Sequence, residues 1–179
     1  MALERRLTTI ADNMANLNTV GFRSTEVKFD EVLSKTENDI NAKIAFVNQG
    51  NDYLSTKNGE LAHTGNTLDF AVKGDAWFAI GTPTGQVLTR DGRFTMKETG
   101  ELVSPSVGAD GKVIQDDRQV ATIGLFTADI TKGFIRYENS GVSTVDQPQP
   151  VVDNPEISIM QGYLENTNVN GIGEMTQLI

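Results

Sequence analysis

The chain has 179 residues, of which 38% are hydrophobic and 22% charged, so it is long enough to bury one sizeable core. Its net charge of −9 comes without any cluster of lysines and arginines, which argues against a nucleic-acid partner. The sequence has no cysteine, no apolar run long enough to span a bilayer and no basic-then-apolar leader. These features predict a soluble protein that, if exported, uses a route without a cleaved signal peptide.

The N-terminal stretch up to Thr19 carries a helical apolar pattern. Its members follow one another at steps of four, three, four and three, which is the spacing of a heptad seam: Leu3, Leu7, Ile10, Met14 and Leu17. Burial of each such side chain contributes about 1.5–3 kcal/mol, whereas a helix of this length is only marginally stable alone. The seam therefore predicts a helix that requires a partner.

A second seam begins near the other end of the chain, after Asn170-Gly171. It consists of Ile172, Met175, Leu178 and Ile179. Neither a glycine cap nor a proline ends this pattern, and the N-terminal seam also begins abruptly. We therefore interpret the sequence as a fragment, or as a chain begun at an internal methionine, and expect both terminal helices to be longer.

The segment after the first seam leaves the helical pattern. Gly21 is suited to a left-handed helix stop, and residues 23–33 have the pattern of extended chain. The polar residues 34–43 are typical of a solvent-exposed connector. No internal repeat is visible.

The centre of the chain has the pattern of strands and tight turns. The clearest predicted hairpin joins residues 87–90 to residues 93–96 through Asp91-Gly92, a dipeptide that accepts the type I′ turn. Other strands are predicted in apolar runs at 69–80, with a break at Gly74-Asp75, at 120–128 and at 156–160.

The predicted fold is mainly β. A central, hairpin-rich domain of sandwich or barrel type, residues 23–160, is flanked by an N-terminal helical segment, residues 1–22, and by the start of a C-terminal one, residues 161–179. We expect the two helical segments to pair as a coiled coil.

Candidate catalytic and ligand sites are weak. His63 is the single histidine, and without cysteine or a nucleophile-elbow serine it is better explained as a surface residue. Residues 110–117 hold three carboxylates but lack calcium-loop spacing, and Gly171-Ile172-Gly173 lacks the rest of a phosphate loop. Trp77-Phe78 is better explained as core than as a sugar platform. The sequence predicts no enzyme, no cofactor, no metal and no small-molecule substrate.

Three stretches together resemble the bacterial flagellar axial proteins, which are the rod and hook components. The first is residues 11–22 (ADNMANLNTVGF) and the second, near the middle, is residues 88–94 (LTRDGRF). The third is residues 162–170 (GYLENTNVN), followed by residues 174–179 (EMTQLI). The pairing of TRDGRF with EMTQLI is most similar to the proximal rod protein, with the distal rod and the hook as alternatives.

The chain departs from the family's pattern in two places. The family's terminal helices run further, and residues 104–108 are short where rod proteins carry additional strands.

The resemblance implies a structural subunit of the basal-body rod that transmits torque for motility. In such proteins the terminal helices pair as a coiled coil and pack with neighbours into a helical tube. Export through the flagellar type III apparatus without a cleaved signal peptide, a place in the periplasmic rod, and partnership with itself and other rod subunits follow from the same resemblance.

Both predicted seams are then assigned to the assembly interface. The ordinary alternative for them is an intramolecular helix pair with no assembly role. Two other classes of function are also compatible with a β-rich chain: an extracellular adhesion domain with exposed edge strands, and a carbohydrate-active enzyme with two carboxylates roughly 5–10 Å apart in a cleft.

Overall fold

The computed structural model describes residues 2–28, 31–34, 44–47, 51–82, 85–96, 98–99, 102–103 and 123–177. Within these ranges the chain forms a helix near each end and short strands between them. The elements are α1 (Ala2–Ala15), β1 (Thr25–Lys28), β2 (Glu31–Ser34), β3 (Ile44–Val47), β4 (Asn51–Leu54), β5 (Leu61–His63), β6 (Phe70–Lys73), β7 (Trp77–Thr82), β8 (Gly85–Thr89), β9 (Thr95–Met96), β10 (Leu102–Val103), β11 (Leu125–Thr127), β12 (Phe134–Tyr137), β13 (Gly141–Thr144), β14 (Gln149–Pro150), β15 (Ser158–Gln161), β16 (Tyr163–Glu165) and α2 (Gly171–Thr176).

Helix α1 confirms the helix predicted from the N-terminal seam. It gives way to a turn after Ala15, and Gly21 adopts the left-handed conformation with φ of 69°. This is the stop that the sequence predicted, because glycine has no Cβ to oppose a positive φ.

The strands that follow form two separate two-stranded antiparallel ladders. β1 pairs with β4, with Thr25 opposite Leu54, and β2 pairs with β3, with Ser34 opposite Ile44. The extended conformation predicted for residues 23–33 is confirmed where it is described. The connector predicted at 34–43 lies, beyond its first residue, outside the described residues.

The largest sheet is antiparallel, with strand order β12-β13-β8-β7-β11-β14. Because side chains alternate along a strand, Trp77 and Phe78 on β7 point to opposite faces and enter separate clusters. The Phe78 cluster contains Val72, Ala76, Phe78, Ile80 and Phe94, and the Trp77 cluster contains Leu54, Trp77, Leu88, Ile130 and Val142. Both aromatic rings are core residues, as predicted.

The hairpin predicted over residues 87–96 is wrong. Strand β8 pairs with β7 and β13, while β9 pairs with β10. The intervening residues turn instead toward the start of β6: Phe70 N donates to Gly92 O at 2.9 Å and Phe94 N to Leu68 O at 3.1 Å. A Cβ on Gly92 would lie 1.6 Å from Phe70 O, so the glycine serves a close approach of two chain segments rather than a hairpin turn.

The run 69–80 is two strands separated at Gly74-Asp75, as predicted. β6 pairs with β15, and β7 belongs to the main sheet. After β15 the chain enters β16, which pairs with β5 and leads into α2. The return of the chain along β15 and β16 thus brings its C-terminal segment back to the N-terminal one.

The mainly β prediction is confirmed by this arrangement of a six-stranded sheet and smaller two-stranded ladders. The acidic stretch 110–117 and the short region 104–108 lie outside the described residues, as does the beginning of the run predicted at 120–128, whose later part forms β11.

Candidate functional site

The N-terminal seam is buried at one end and exposed at the other. Ile10 is 4% exposed, and Met14 and Leu17 are half-buried, whereas Leu3 and Leu7 are 72% and 47% exposed. The part of α1 nearest the β domain is therefore packed, and its first two turns present a leucine pair to solvent.

The C-terminal seam divides in a different way. Ile172 and Met175 are 81% and 57% exposed, and Leu178 and Ile179 lie outside the described residues. Helix α2 meets α1 through other positions: a Cβ on Gly171 would lie 3.1 Å from Leu17 Cδ2, and Glu174 contacts Asn13. Since successive helical residues are rotated by about 100°, the apolar pair Ile172 and Met175 points away from this contact.

Asn13 joins three elements. Its Nδ2 donates to Thr25 O at 2.9 Å and to Glu174 Oε1 at 2.9 Å, while its Oδ1 accepts from Thr25 N at 3.0 Å. The buried amide thus pairs with β1 as a neighbouring strand would and also holds α2. Asn16 instead bonds locally, to Asp12 O and Thr19 Oγ1.

A second set of contacts is a buried ionic network. Glu165, at the end of β16, is within 3.2 Å of Arg23 Nη2 and 3.1 Å of Arg90 Nε, although the latter pair does not have hydrogen-bond geometry. Glu165 Oε1 also accepts from Gly59 N at 2.8 Å, and Asn58 Oδ1 accepts from both guanidinium groups. All three charged side chains are almost completely buried.

The two arginines remain cationic in this environment because they have other partners. Arg23 also donates to Lys57 O, and Arg90 donates to Val72 O and Gly74 O. Both guanidinium groups lie over the Trp77 ring, at 5.4 and 5.7 Å from its centroid. Burial lowers the pKa of Arg90 to about 10, against the attraction of Glu165, and it lowers the pKa of Arg23 in the same way. Both groups are therefore charged at neutral pH.

Close backbone contacts bring the three recognised stretches together. Gly21 N donates to Glu165 O at 2.7 Å, and a Cβ on Gly21 would lie 2.3 Å from Asp91 N. Asn168 completes the contact: its Oδ1 accepts from Ser24 N at 2.7 Å and its Nδ2 donates to Lys57 O at 2.8 Å. Residues that are far apart in sequence thus form one structural unit. We call it the junction, and it comprises residues 21–25, 57–59, 90–91, 165 and 168.

Arg136 adds an anchor that the sequence pattern did not indicate. From the outer strand β12 its Nη2 donates to Arg23 O at 2.9 Å and to Thr25 Oγ1 at 2.7 Å, and its guanidinium lies 4.4 Å from the centroid of the Phe22 ring. A lone arginine in a strand pattern gives no local signal of such a role.

A groove of about 510 Å³ opens between α1, the β1–β4 ladder and α2. Tyr53 Oη donates to Glu26 Oε2 at 2.6 Å, and this hydrogen bond raises the pKa of Tyr53. Burial raises the pKa of Glu174, an effect opposed by the hydrogen bond from Asn13 and reinforced by Glu26. The groove therefore contains a carboxyl group on α2, that of Glu174, whose pKa depends on how far α2 buries it.

Potential metal ligands are dispersed over the described residues. These residues contain no group of three or more potential metal ligands, and His63 is an exposed residue stacked edge-on to Tyr163 at 4.9 Å. No helix in the described ranges is long and apolar enough to cross a bilayer. What the geometry does provide is a firmly closed junction beside exposed apolar helix faces.

The family of the chain follows from its similarity to known proteins. Residues 71–176 match the family model of the flagellar hook protein FlgE/F/G D1 domain, and residues 1–23 match that of the flagella basal body rod protein. The flagellar basal-body rod protein FlgF of Rhizobium meliloti is 53% identical across the whole chain, which covers 82% of that relative. The chain belongs to the FlgF family of flagellar basal-body rod proteins.

Other relatives are consistent with this family. FlgF of Mesorhizobium japonicum is 48% identical over the whole chain and 82% of its own length, and the rod protein FlgG of Bacillus subtilis is 30% identical over 98% of the chain and 84% of its length. The protein is accordingly a structural component of the flagellar rod and not an enzyme. The adhesion-domain and carbohydrate-enzyme interpretations are set aside.

Proposed function

We propose that this rod protein acts in the proximal rod and polymerises through its two terminal helices into the shaft that transmits torque. The observation that carries the proposal is the exposure of Leu3, Leu7, Ile172 and Met175 on helices that are otherwise fixed to the β domain. Apolar residues at helical spacing on an exposed face are typical of a surface that a partner covers.

The partners are other copies of this chain and other rod subunits. Contacts between different faces of identical or similar subunits generate a helical arrangement, as a shaft requires, when they do not close into a ring. Pairing of α1 with α2 as a coiled coil in the assembled state would bury both seams and stiffen the shaft. Passage through the flagellar type III export apparatus without a cleaved signal peptide, and a final place in the periplasm, complete the proposal.

The experiment compares two substitutions of exposed apolar residues in an otherwise natural chain. Leu7→Asp alters the helix face, while Ile135→Asp alters β12, where Ile135 is 75% exposed. Each variant would be expressed in a strain that lacks the gene, and swimming and isolated basal bodies would be examined by electron microscopy.

We expect Leu7→Asp to remove swimming and to leave the rod absent or truncated, because a charge in the assembled seam would be buried without a partner. Ile135→Asp should restore both. Normal swimming with complete basal bodies in the deletion strain itself would contradict a role in the rod, and normal function of the Leu7→Asp protein would contradict assembly through this helix.

A further inference from the structure

Asn58 and Gly59 lie at the exposed rim of the buried network. Asn58 Oδ1 accepts from Arg23 Nη2 at 2.5 Å and from Arg90 Nη2 at 2.7 Å. The backbone nitrogen that follows, Gly59 N, donates to Glu165 Oε1 at 2.8 Å. A side-chain amide carbonyl, its neighbouring backbone nitrogen, two cations and a carboxylate therefore meet at a single dipeptide.

An Asn-Gly dipeptide can undergo an intramolecular cyclisation. The glycine nitrogen attacks the asparagine side-chain carbon to form a five-membered succinimide, and the absence of a Cβ on glycine leaves this approach unhindered. The reaction needs a base to remove the proton from a poorly nucleophilic amide nitrogen and donors to stabilise the oxyanion that develops. Both requirements match groups that already contact Asn58 and Gly59.

We propose that the junction promotes deamidation of its own Asn58. In this assignment Glu165 is the general base for Gly59 N–H, and Arg23 and Arg90 form the oxyanion hole for Asn58 Oδ1. The reaction occurs once per chain on its own backbone, so it is a self-modification and not turnover of a substrate.

The steps balance with water as the co-reactant. The bond from Gly59 N to Asn58 Cγ forms as the Gly59 proton passes to Glu165, and the negative charge on Oδ1 is held by the two guanidinium groups. Ammonia then leaves from Cγ with the proton that Glu165 returns. Water opens the succinimide at either carbonyl, which gives an aspartate or an isoaspartate at position 58.

The product changes the electrostatics of the junction. Arg23 and Arg90 share one buried counterion, Glu165, so an aspartate at position 58 would supply a second carboxylate at the place where both guanidinium groups already donate. Self-modification would therefore tighten the attachment of the N-terminal segment to the β domain.

The chain contains a matched internal control in its other described Asn-Gly pair, Asn170-Gly171. Asn170 Oδ1 accepts from Gly173 N at 3.1 Å as the cap of α2. Among the described residues no carboxylate accepts from Gly171 N and no arginine donates to Asn170. This dipeptide has the same intrinsic reactivity without the surrounding groups.

The test incubates the purified full chain near neutral pH in heavy-oxygen water, once folded and once in denaturant, and follows both dipeptides by peptide mass spectrometry. General base catalysis typically contributes 10²–10⁴-fold, so we expect Asn58 to convert at least about tenfold faster in the folded chain than in denaturant. Asn170 should show no such acceleration on folding.

Glu165→Gln keeps the size of the side chain and removes the base, so it should abolish the folded-state acceleration at Asn58 and leave Asn170 unchanged. If that variant does not fold, the comparison of the natural chain in its folded and denatured states still decides. Conversion of Asn58 that is no faster in the folded chain than in denaturant would overturn the proposal and show that the network protects the dipeptide.

Discussion

At the scale of single residues, Glu165 determines whether the junction closes. Removing one member of a buried ion pair costs about 3–5 kcal/mol, because it leaves a charge without compensation in a low-dielectric site. We expect Glu165→Ala to lower the free energy of unfolding by an amount in this range, as measured by urea denaturation. Arg5→Ala, which breaks the exposed pair with Asp52 at 3.0 Å, is the control and should cost at most about 1 kcal/mol. Equal losses would show that Glu165 is not a special counterion.

Glu174 makes the docking of α2 depend on pH. Its pKa is raised in the folded chain, chiefly by burial, so the folded state retains the proton to higher pH than the unfolded state does. The associated stabilisation is fully present below the unfolded pKa and is lost as the pH rises through the folded pKa. Glu174→Gln should therefore protect α2 from amide hydrogen exchange at neutral pH more than the natural residue does, and should remove this pH dependence. Unchanged pH dependence in the variant would contradict the assignment.

At the scale of elements, close approach of backbone segments replaces a predicted hairpin. Gly92→Ala would place a Cβ 1.6 Å from Phe70 O, so the segments at 92–94 and 68–70 must separate. We expect a loss of about 1–3 kcal/mol in the free energy of unfolding, the usual cost of overpacking. Gly81→Ala on β7 is the matched control, because a Cβ there meets nothing within 4 Å. Thermal denaturation of both variants measures the difference, and equal midpoints would refute the steric explanation.

The helix faces show how far periodicity can predict contacts. Heptad spacing located both helices and the burial of Ile10, since a repeated apolar position requires cover. It did not indicate which face of α2 meets α1, because that contact uses Gly171 and Glu174, neither of which belongs to the apolar pattern. The break at Gly74-Asp75 and the burial of Trp77 were likewise predictable from local sequence.

The junction was not predictable residue by residue. Arg23, Arg90 and Glu165 are separate charged residues in sequence, and each taken alone is better explained as a solvated side chain. Only the return of β16 beside the N-terminal segment places their charges together. The Asp91-Gly92 dipeptide misled for the same reason: neither residue has the positive φ of the predicted turn, because tertiary contacts decide the course of the chain at this point.

At the scale of the whole molecule, the two ends of the chain should remain together in solution. The sequence has no cysteine, so Leu17→Cys combined with Gly171→Cys introduces a single possible disulfide at a position where a Cβ on residue 171 would lie 3.1 Å from the Leu17 side chain. We expect this bond to form readily in the folded chain and to raise its thermal midpoint, since closing so long a loop contributes about 4–5 kcal/mol.

Leu3→Cys combined with Gly171→Cys provides the comparison. Leu3 lies in the first turn of α1, whereas Leu17 follows the end of that helix, so the Leu3 pair should remain reduced under the same mild oxidation, as read by mobility on a non-reducing gel. Formation of both bonds with equal ease would indicate that α2 has no fixed position against α1.

The hydrogen bond between Asn13 and Glu174 joins residues 161 positions apart. Contacts of such long range close late in folding, because the entropy of a large loop must be lost before they form. Synthesis also proceeds from the N-terminus, so Asn13 and Arg23 are made long before Glu165 and Glu174 are available to receive them. The contact between α1 and α2 is therefore completed only after α2 has been made, although the hydrogen bonds from Asn13 to β1 can form much earlier.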